Sequence, residues 1–261
     1  MATKLPPAVV LAGGLGTRLR TTVPGLPKAL APIANEPFLA HQLRWLEANG
    51  IKSVLLCVGY KGEQIFRKLG TGAGLGLSLK LHYSWETFPL GTGGALMQAA
   101  PVLPEEFLVI NGDTYTEMGL GPLWQAHQNN DGLVTIAVTK AWAHNATGSV
   151  ELANDGRITS FNEKQPNPTW ANMGIYAMSK KLLDHIPAHR PCSLEKEVFP
   201  HIQPMHAFIT DSPFIDIGTP ESYAYAQSYF ASRNKSKTPV SKWKSTEGEK
   251  NDRSQSCTIA D

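Results

Sequence analysis

The sequence predicts an α/β protein built on a doubly wound sheet. Two observations carry that reading. Strand-type apolar runs alternate with helix-period segments through the first half of the chain, the rhythm of strand–helix–strand units. Polar, glycine-rich stretches fall where those runs stop, after Ala12, Tyr83 and Ile110. In such sheets ligands sit beyond the carboxyl ends of the strands, so these stretches are expected to share one site.

The elements follow in order. Ala8–Ala12 reads as a buried strand. Phe38–Asn49 reads as a helix with Phe38, Leu39, Leu43 and Leu46 on one face and Gly50 as its stop. Val54–Val58 is the next strand, Glu63–Leu69 a short helix, and Gly70–Gly76 a glycine-rich link. Leu77–Tyr83 alternates like a strand near a sheet edge. Gly93–Ala100 reads as a helix ended by Pro101. Phe107–Ile110 is a buried strand, Leu120–Asn129 a helix and Leu133–Val138 a further strand.

The second half changes character. Ser149–Leu152 and Arg157–Phe161 flank Asn154-Asp155-Gly156, a hairpin turn signal. Met173–Met178 reads as a strand, and Ser193 as the cap of a helix over Leu194–Phe199. Phe208–Ile209 and Phe214–Ile217 read as short strands. Thr219 and Pro220 form an N-cap and first helical position for a helix to about residue 230. This half is expected to fold onto the same sheet. The division expected is a first part over about 1–139, a second over about 140–231, and a polar tail over 232–261. The tail lacks apolar periodicity and is expected to be disordered.

Composition narrows the function classes. Apolar residues make up 42% of the chain and charged residues 18%, proportions ordinary for a globular protein. No apolar run approaches the ~20 residues of a membrane span, and the start of the chain lacks a signal-peptide core. A cytoplasmic protein without membrane partners is expected. Residues 232–261 hold seven of the 24 basic and four of the 22 acidic side chains, so the body carries −1 and the tail +3. No basic stripe points to nucleic acid. Cys57, Cys192 and Cys257 have no metal or redox spacing, and Cys57 sits in an apolar run as a small core residue.

The chemistry concentrates in residues 8–28. The first strand stops at Gly13-Gly14, then come Leu15, Gly16, Thr17, Arg18 and Leu19, with Pro27-Lys28 further on. Glycines let backbone N–H groups approach an anion. Arg18 adds a planar fork suited to phosphate, and Lys28 a mobile point charge. The pattern is neither the dinucleotide fingerprint nor a Walker loop. Asp113 ends the Asn111-Gly112-Asp113 turn, where a carboxylate can take Mg²⁺ together with phosphates; an Asx turn explains it equally. Asp216 lies at a strand end before Gly218-Thr219-Pro220, and a structural Asp near a helix start explains it too.

The Gly-Gly-x-Gly-Thr-Arg-Leu run with Pro27-Lys28, continued to Asp216-Ile217-Gly218-Thr219-Pro220, resembles the sugar-1-phosphate nucleotidyltransferases over nearly all of residues 8–231. The resemblance implies a Rossmann-like, doubly wound mixed sheet, with the nucleotide bound by about 1–139 and the sugar phosphate by about 140–231. Arg20-Thr21-Thr22-Val23 stands where most members carry a Pro-Leu-Thr run, and this departure is similar to the branch that uses D-glycero-D-manno-heptose 1-phosphate. The implied reaction takes GTP and a sugar 1-phosphate to an NDP-sugar and pyrophosphate for cell-surface glycan synthesis. A mannose 1-phosphate substrate, UTP with a hexose or N-acetylmuramate 1-phosphate, and a silent nucleotide-sugar sensor are the alternatives.

The resemblance also implies roles. Arg18, Lys28 and Asp113 would be catalytic, and Asp113 with Asp216 would hold Mg²⁺. Leu11, Ala12, Gly13, Gly14, Gly16, Thr17, Glu86, Pro89, Gly91 and Thr92 would bind the nucleotide. Glu86 stands where the family reads the base, and an ionised carboxylate accepts both the N1–H and N2–H of guanine. Asn111, Gly148, Glu163, Lys164, Asn172, Gly174 and Glu195 would bind the sugar phosphate. Family members often assemble, so a homo-oligomer is a further expectation.

Overall fold

The computed structural model describes residues 4–141, 148–162, 168–188 and 191–234. The strands are β1 (Ala8–Leu11), β2 (Pro32–Ile33), β3 (Glu36–Pro37), β4 (Ser53–Val58), β5 (Lys80–Trp85), β6 (Glu106–Asn111) and β7 (Thr114–Thr116). They continue as β8 (Val134–Lys140), β9 (Ser149–Leu152), β10 (Ile158–Asn162), β11 (Trp170–Ser179), β12 (Met205–Ile209) and β13 (Phe214–Asp216). The helices are α1 (Phe38–Ala48), α2 (Gly62–Leu69), α3 (Gly91–Ala99), α4 (Leu120–Gln128) and α5 (Pro220–Asn234).

The main sheet runs β10-β9-β11-β6-β1-β4-β5, with β8 on β11 and β12 on β8. The segment β6-β1-β4-β5 is parallel. β11 turns the direction, pairing antiparallel with β6, β8 and β9. The sheet is therefore mixed, as expected. Its order places β1 centrally, so the signature loop leaves the middle of the parallel segment.

Two-residue alternation divides the core. Ala8 and Val10 join Leu39, Leu43, Leu46 and Ile65 on one face, while Val9 joins Leu96, Phe107 and Tyr176 on the other. A third cluster gathers Leu19, Ile33, Phe38, Ile215, Ile217 and Phe230. Phe38 therefore does not share the face of Leu39, Leu43 and Leu46. It opens α1 and packs under the signature loop instead.

Local chemistry sets several boundaries. Gly50 after α1 takes φ +86°, the left-handed stop that glycine adopts without strain. Thr219 Oγ1 accepts from Ser222 N at 3.2 Å, the expected N-cap. Gly156 takes φ +83° in the β9–β10 hairpin. Ser193 Oγ accepts from Lys196 N at 3.3 Å, but the segment it caps is a π-helical turn, Leu194–Val198, followed by a 3₁₀ turn.

Two expectations shift, and one element is new. The edge strand is Lys80–Trp85 rather than Leu77–Tyr83, because Leu77 and Leu79 are drawn into the core ahead of the sheet. α3 begins at Gly91 rather than Gly93. The 114–116 segment forms β7, which pairs with β13 in a small antiparallel sheet; it is too short to show alternation. Among the described residues no helix is long and apolar enough to cross a membrane.

Candidate active site

The parallel strands end at a cleft of about 290 Å³ lined by Leu11, Ala12, Gly13, Gly14, Leu15, Lys28, Ala29, Glu86, Pro89, Gly91, Thr92, Ala95, Asn111, Gly112 and Asp113. Loops after β1, β5 and β6 thus converge, as the positions of the glycine-rich stretches predict. β1 supplies Leu11 and Ala12 and stops at Gly13. A Cβ on Gly13 would overlap the Glu86 carboxylate, so glycine there lets the base-reading candidate approach the loop backbone.

Glu86 is held from two sides. Its N–H donates to Val58 O at 2.8 Å, and its Oε2 accepts from Leu90 N at 3.1 Å. Burial raises its carboxyl above the usual range, and the Leu90 N–H works against that shift. Pro89 and Thr92 complete this wall. Gly91, at φ +73°, lets the Cys192 carbonyl pass where a side chain would stand. That carbonyl accepts from Gly93 N at 2.8 Å and Gly94 N at 3.3 Å, so the chain itself satisfies donors at the N-terminus of α3.

The other wall carries charge. Gly16, at φ +59°, folds the loop against Lys28, whose Cβ would lie 3.1 Å from a Cβ placed there. Thr17 and Arg18 are exposed and lie outside the cleft lining. Leu19 anchors the loop in the third core cluster. Lys28 Nζ pairs with Asp113 Oδ2. Burial pushes the Asp113 carboxyl up, but Lys28, its own backbone N–H and Arg18 together hold the group below its ordinary value.

The small sheet brings the second carboxylate alongside. Asp216 pairs in register with Thr114, and Ile217 N donates to Asp113 O at 3.1 Å. Burial, then the neighbouring Asp113 charge, raises the Asp216 carboxyl. Its Oδ1 accepts from Gly218 N at 2.6 Å, and Arg18 Nη2 lies 3.3 Å from where a Gly218 Cβ would stand. Two carboxylates 103 positions apart in the chain therefore meet, with Arg18 and Lys28 beside them.

The sugar-side candidates form a chain of contacts reaching the cleft. Gly174 sits at φ +67° where the β11–β8 register shifts, and a Cβ there would lie 2.7 Å from Asn111 Nδ2. Asn172 Oδ1 accepts from Gly174 N at 2.9 Å, and its Nδ2 donates to Tyr176 Oη at 2.8 Å. Tyr176 donates to Glu195 Oε1 at 3.2 Å, and Thr92 donates to Glu195 Oε2 at 2.7 Å. Gly148 O accepts from Asn172 N at 2.8 Å. Glu163 and Lys164 lie outside the described residues.

Tyr176 belongs to this framework, Gln42 on α1 donates to the Asn111 and Thr114 carbonyls, and sequence reasoning misses both. Each sits in an apolar-looking segment with no motif around it.

Comparison with known proteins identifies the family. The family described as "Nucleotidyl transferase" matches residues 7–233. The mannose-1-phosphate guanylyltransferase of Mycobacterium tuberculosis is 36% identical over 231 residues, 85% of this chain and 64% of its own length. The D-glycero-alpha-D-manno-heptose 1-phosphate guanylyltransferase of Aneurinibacillus thermoaerophilus is 36% identical over 227 residues, 84% of this chain and 96% of its own. The crystal structure of HddC from Yersinia pseudotuberculosis superposes with TM-score 0.76 at 33% identity, covering 86% of this chain and 99% of that one. A second HddC structure, complexed with GMP-PN, gives the same TM-score at 32% identity, over 86% and 99% of the two chains. The chain belongs to the nucleotidyl transferase family. It spans 60–64% of the length of the first mannose-1-phosphate guanylyltransferases it matches, and nearly all of the heptose enzyme.

Proposed function

We propose that this protein transfers GMP from GTP to a sugar 1-phosphate, with D-glycero-D-manno-heptose 1-phosphate as the sugar. The carrying observation is one cleft that joins the Glu86–Gly13 wall to the Asp113–Asp216 pair. The heptose reading is supported by the Arg20-Thr21-Thr22-Val23 departure after the signature loop and by the 36% identity to the heptose enzyme of Aneurinibacillus thermoaerophilus over 84% of this chain. The guanine reading is supported by the Glu86 carboxylate and by the HddC complex with GMP-PN.

In the reaction, an oxygen of the sugar phosphate attacks the α-phosphorus. The bond from that phosphorus to the oxygen bridging to the β-phosphate breaks, and pyrophosphate leaves. No general base is needed, because the second pKa of a phosphate monoester is about 6. Catalysis is then positioning and charge stabilisation. The signature-loop backbone cradles the triphosphate, Arg18 and Lys28 meet its charge, and Glu86 reads the base. Asn111, Asn172 and Glu195, with Lys164, orient the sugar phosphate.

Nucleotidyl transferases generally use a divalent metal. The residues here fit Mg²⁺: two adjacent acidic oxygens leave the remaining positions to phosphates and water. Such an ion would be held by Asp113 and Asp216 and would offset the phosphate charge. Among the described residues no cluster of three or more His, Cys, Asp or Glu side chains competes for that assignment.

The test is pyrophosphate release with four NTPs against a panel of sugar 1-phosphates, in wild type and Glu86→Gln. GTP with the heptose 1-phosphate is the pair expected to turn over fastest, and Glu86→Gln is expected to lose preference for GTP over UTP. Faster turnover with mannose 1-phosphate would transfer the assignment to the mannose branch.

A further inference from the structure

The turn that carries Asp113 is gripped from inside the protein. Gln42 lies on α1 and is fully buried. Its Nε2 donates to the Asn111 carbonyl at 2.9 Å and to the Thr114 carbonyl at 2.5 Å. Those carbonyls bracket Asp113. Both acceptors are carbonyl oxygens, so only the nitrogen end of the amide satisfies them. That orientation leaves Oε1 buried with no hydrogen-bond partner among the described residues. A buried polar atom without a partner is costly, and a side chain serving packing alone would be apolar like Leu39, Leu43 and Leu46 beside it.

The same turn is fixed on its remaining sides by backbone. Gly112 N donates to Leu11 O at 2.9 Å, and a Cβ on Gly112 would lie 2.7 Å from that oxygen. Ile217 N donates to Asp113 O. β1 and the residue after β13 therefore each hold one point of the turn, while Gln42 holds both of its ends.

We propose that Gln42 is a positioning residue. It clamps residues 111–114 so that the Asp113 carboxylate faces Asp216, and thereby sets the affinity of the pair for the divalent metal. The inference rests on the proposed metal role of Asp113 and Asp216.

The test compares the full chain with Gln42→Met, which keeps length and deletes both donors, and Gln42→Glu, which as a buried neutral acid retains one. Leu43→Ala, a core truncation one position along α1, controls for lost stability, and Asp113→Asn for the metal reading. Two quantities are measured: amide hydrogen exchange of the 111–116 segment without added metal, and the Mg²⁺ concentration for half-maximal pyrophosphate release. Loss of two buried hydrogen bonds is expected to speed exchange about tenfold or more in Gln42→Met. The Mg²⁺ requirement is expected to rise several-fold, with Gln42→Glu intermediate and Leu43→Ala unchanged in both. Unchanged values in the Gln42 variants, or equal shifts in Leu43→Ala at a matched loss of Tm, overturn the inference while an Asp113→Asn effect leaves the metal reading standing. An unchanged Mg²⁺ requirement in Asp113→Asn overturns the metal reading and this inference with it.

Discussion

Arg18 shows how far a residue type by itself declares a role. A guanidinium after three glycines points to phosphate chemistry, and the fold puts it beside Gly218 and Asp216 rather than in the cleft wall. It is exposed and supports no core packing. Arg18→Ala is therefore expected to leave Tm unchanged and to cut kcat by about two orders of magnitude, the usual loss for a transition-state charge donor. Steady-state kinetics and a melting curve check both halves. Glycines at 13, 91 and 174 are legible as binding positions through the family resemblance; that each makes room for Glu86, Cys192 O or Asn111 requires the fold. Gln42 and Tyr176 are silent for a different reason. An amide or phenol within an apolar stretch reads as core, and nothing local reports the carbonyls and carboxylate that it meets from distant strands.

Among the elements, the parallel strands are legible because each is a short apolar run closed by polar residues. β7 and β13 are not both visible, since three residues show no alternation and their partnership spans about a hundred positions. Nor is the break in β11 visible. Met173–Met178 reads as a plain strand, yet Gly174 adopts φ +67° where the register with β8 shifts. Such a break re-aims neighbouring side chains, here Asn172 toward Tyr176 and the strand toward Asn111. Gly174→Ala meets both a left-handed backbone and Asn111 Nδ2. It is expected to cost about 1–3 kcal/mol of stability and to raise KM for the sugar phosphate more than KM for GTP. Urea unfolding and two KM measurements decide it.

At the scale of the whole molecule, the sheet collects chemistry from distant parts of the chain, and stability and function draw on different ends of it. Away from the cleft, His127 on α4 is buried and its Nδ1 meets Thr135 Oγ1 at 3.0 Å. Burial, with His206 nearby, pushes its pKa from the ordinary 6.5 down to about 4. The folded protein thus keeps the ring neutral over a range in which the unfolded chain protonates it. The stabilisation is complete above pH 6.5 and is lost as pH falls toward 4. Tm measured across that window is expected to fall more steeply in wild type than in His127→Gln.

At the cleft, only the assembled sheet makes the proposed metal pair out of Asp113 and Asp216. Asp113 follows β6 and Asp216 ends β13, and neither turn alone distinguishes a ligand from a structural carboxylate. Their mutual repulsion, with Asp216 pushed upward by burial and by Asp113, is the physical sign that two like charges share one place. A bound cation relieves that repulsion. Asp216→Asn removes one of the two negative charges while keeping an oxygen that can accept from Gly218 N. The Mg²⁺ concentration for half-maximal activity is therefore expected to rise, since a hard cation binds an amide oxygen less strongly than a carboxylate. Sugar-phosphate binding without metal, followed by calorimetry, is expected to stay unchanged, because Asn111, Asn172 and Glu195 stand on β6, β11 and the turn after Ser193 rather than on β13. An unchanged Mg²⁺ requirement in Asp216→Asn would make Asp216 a structural partner of Gly218 and leave the metal to Asp113 and the phosphates.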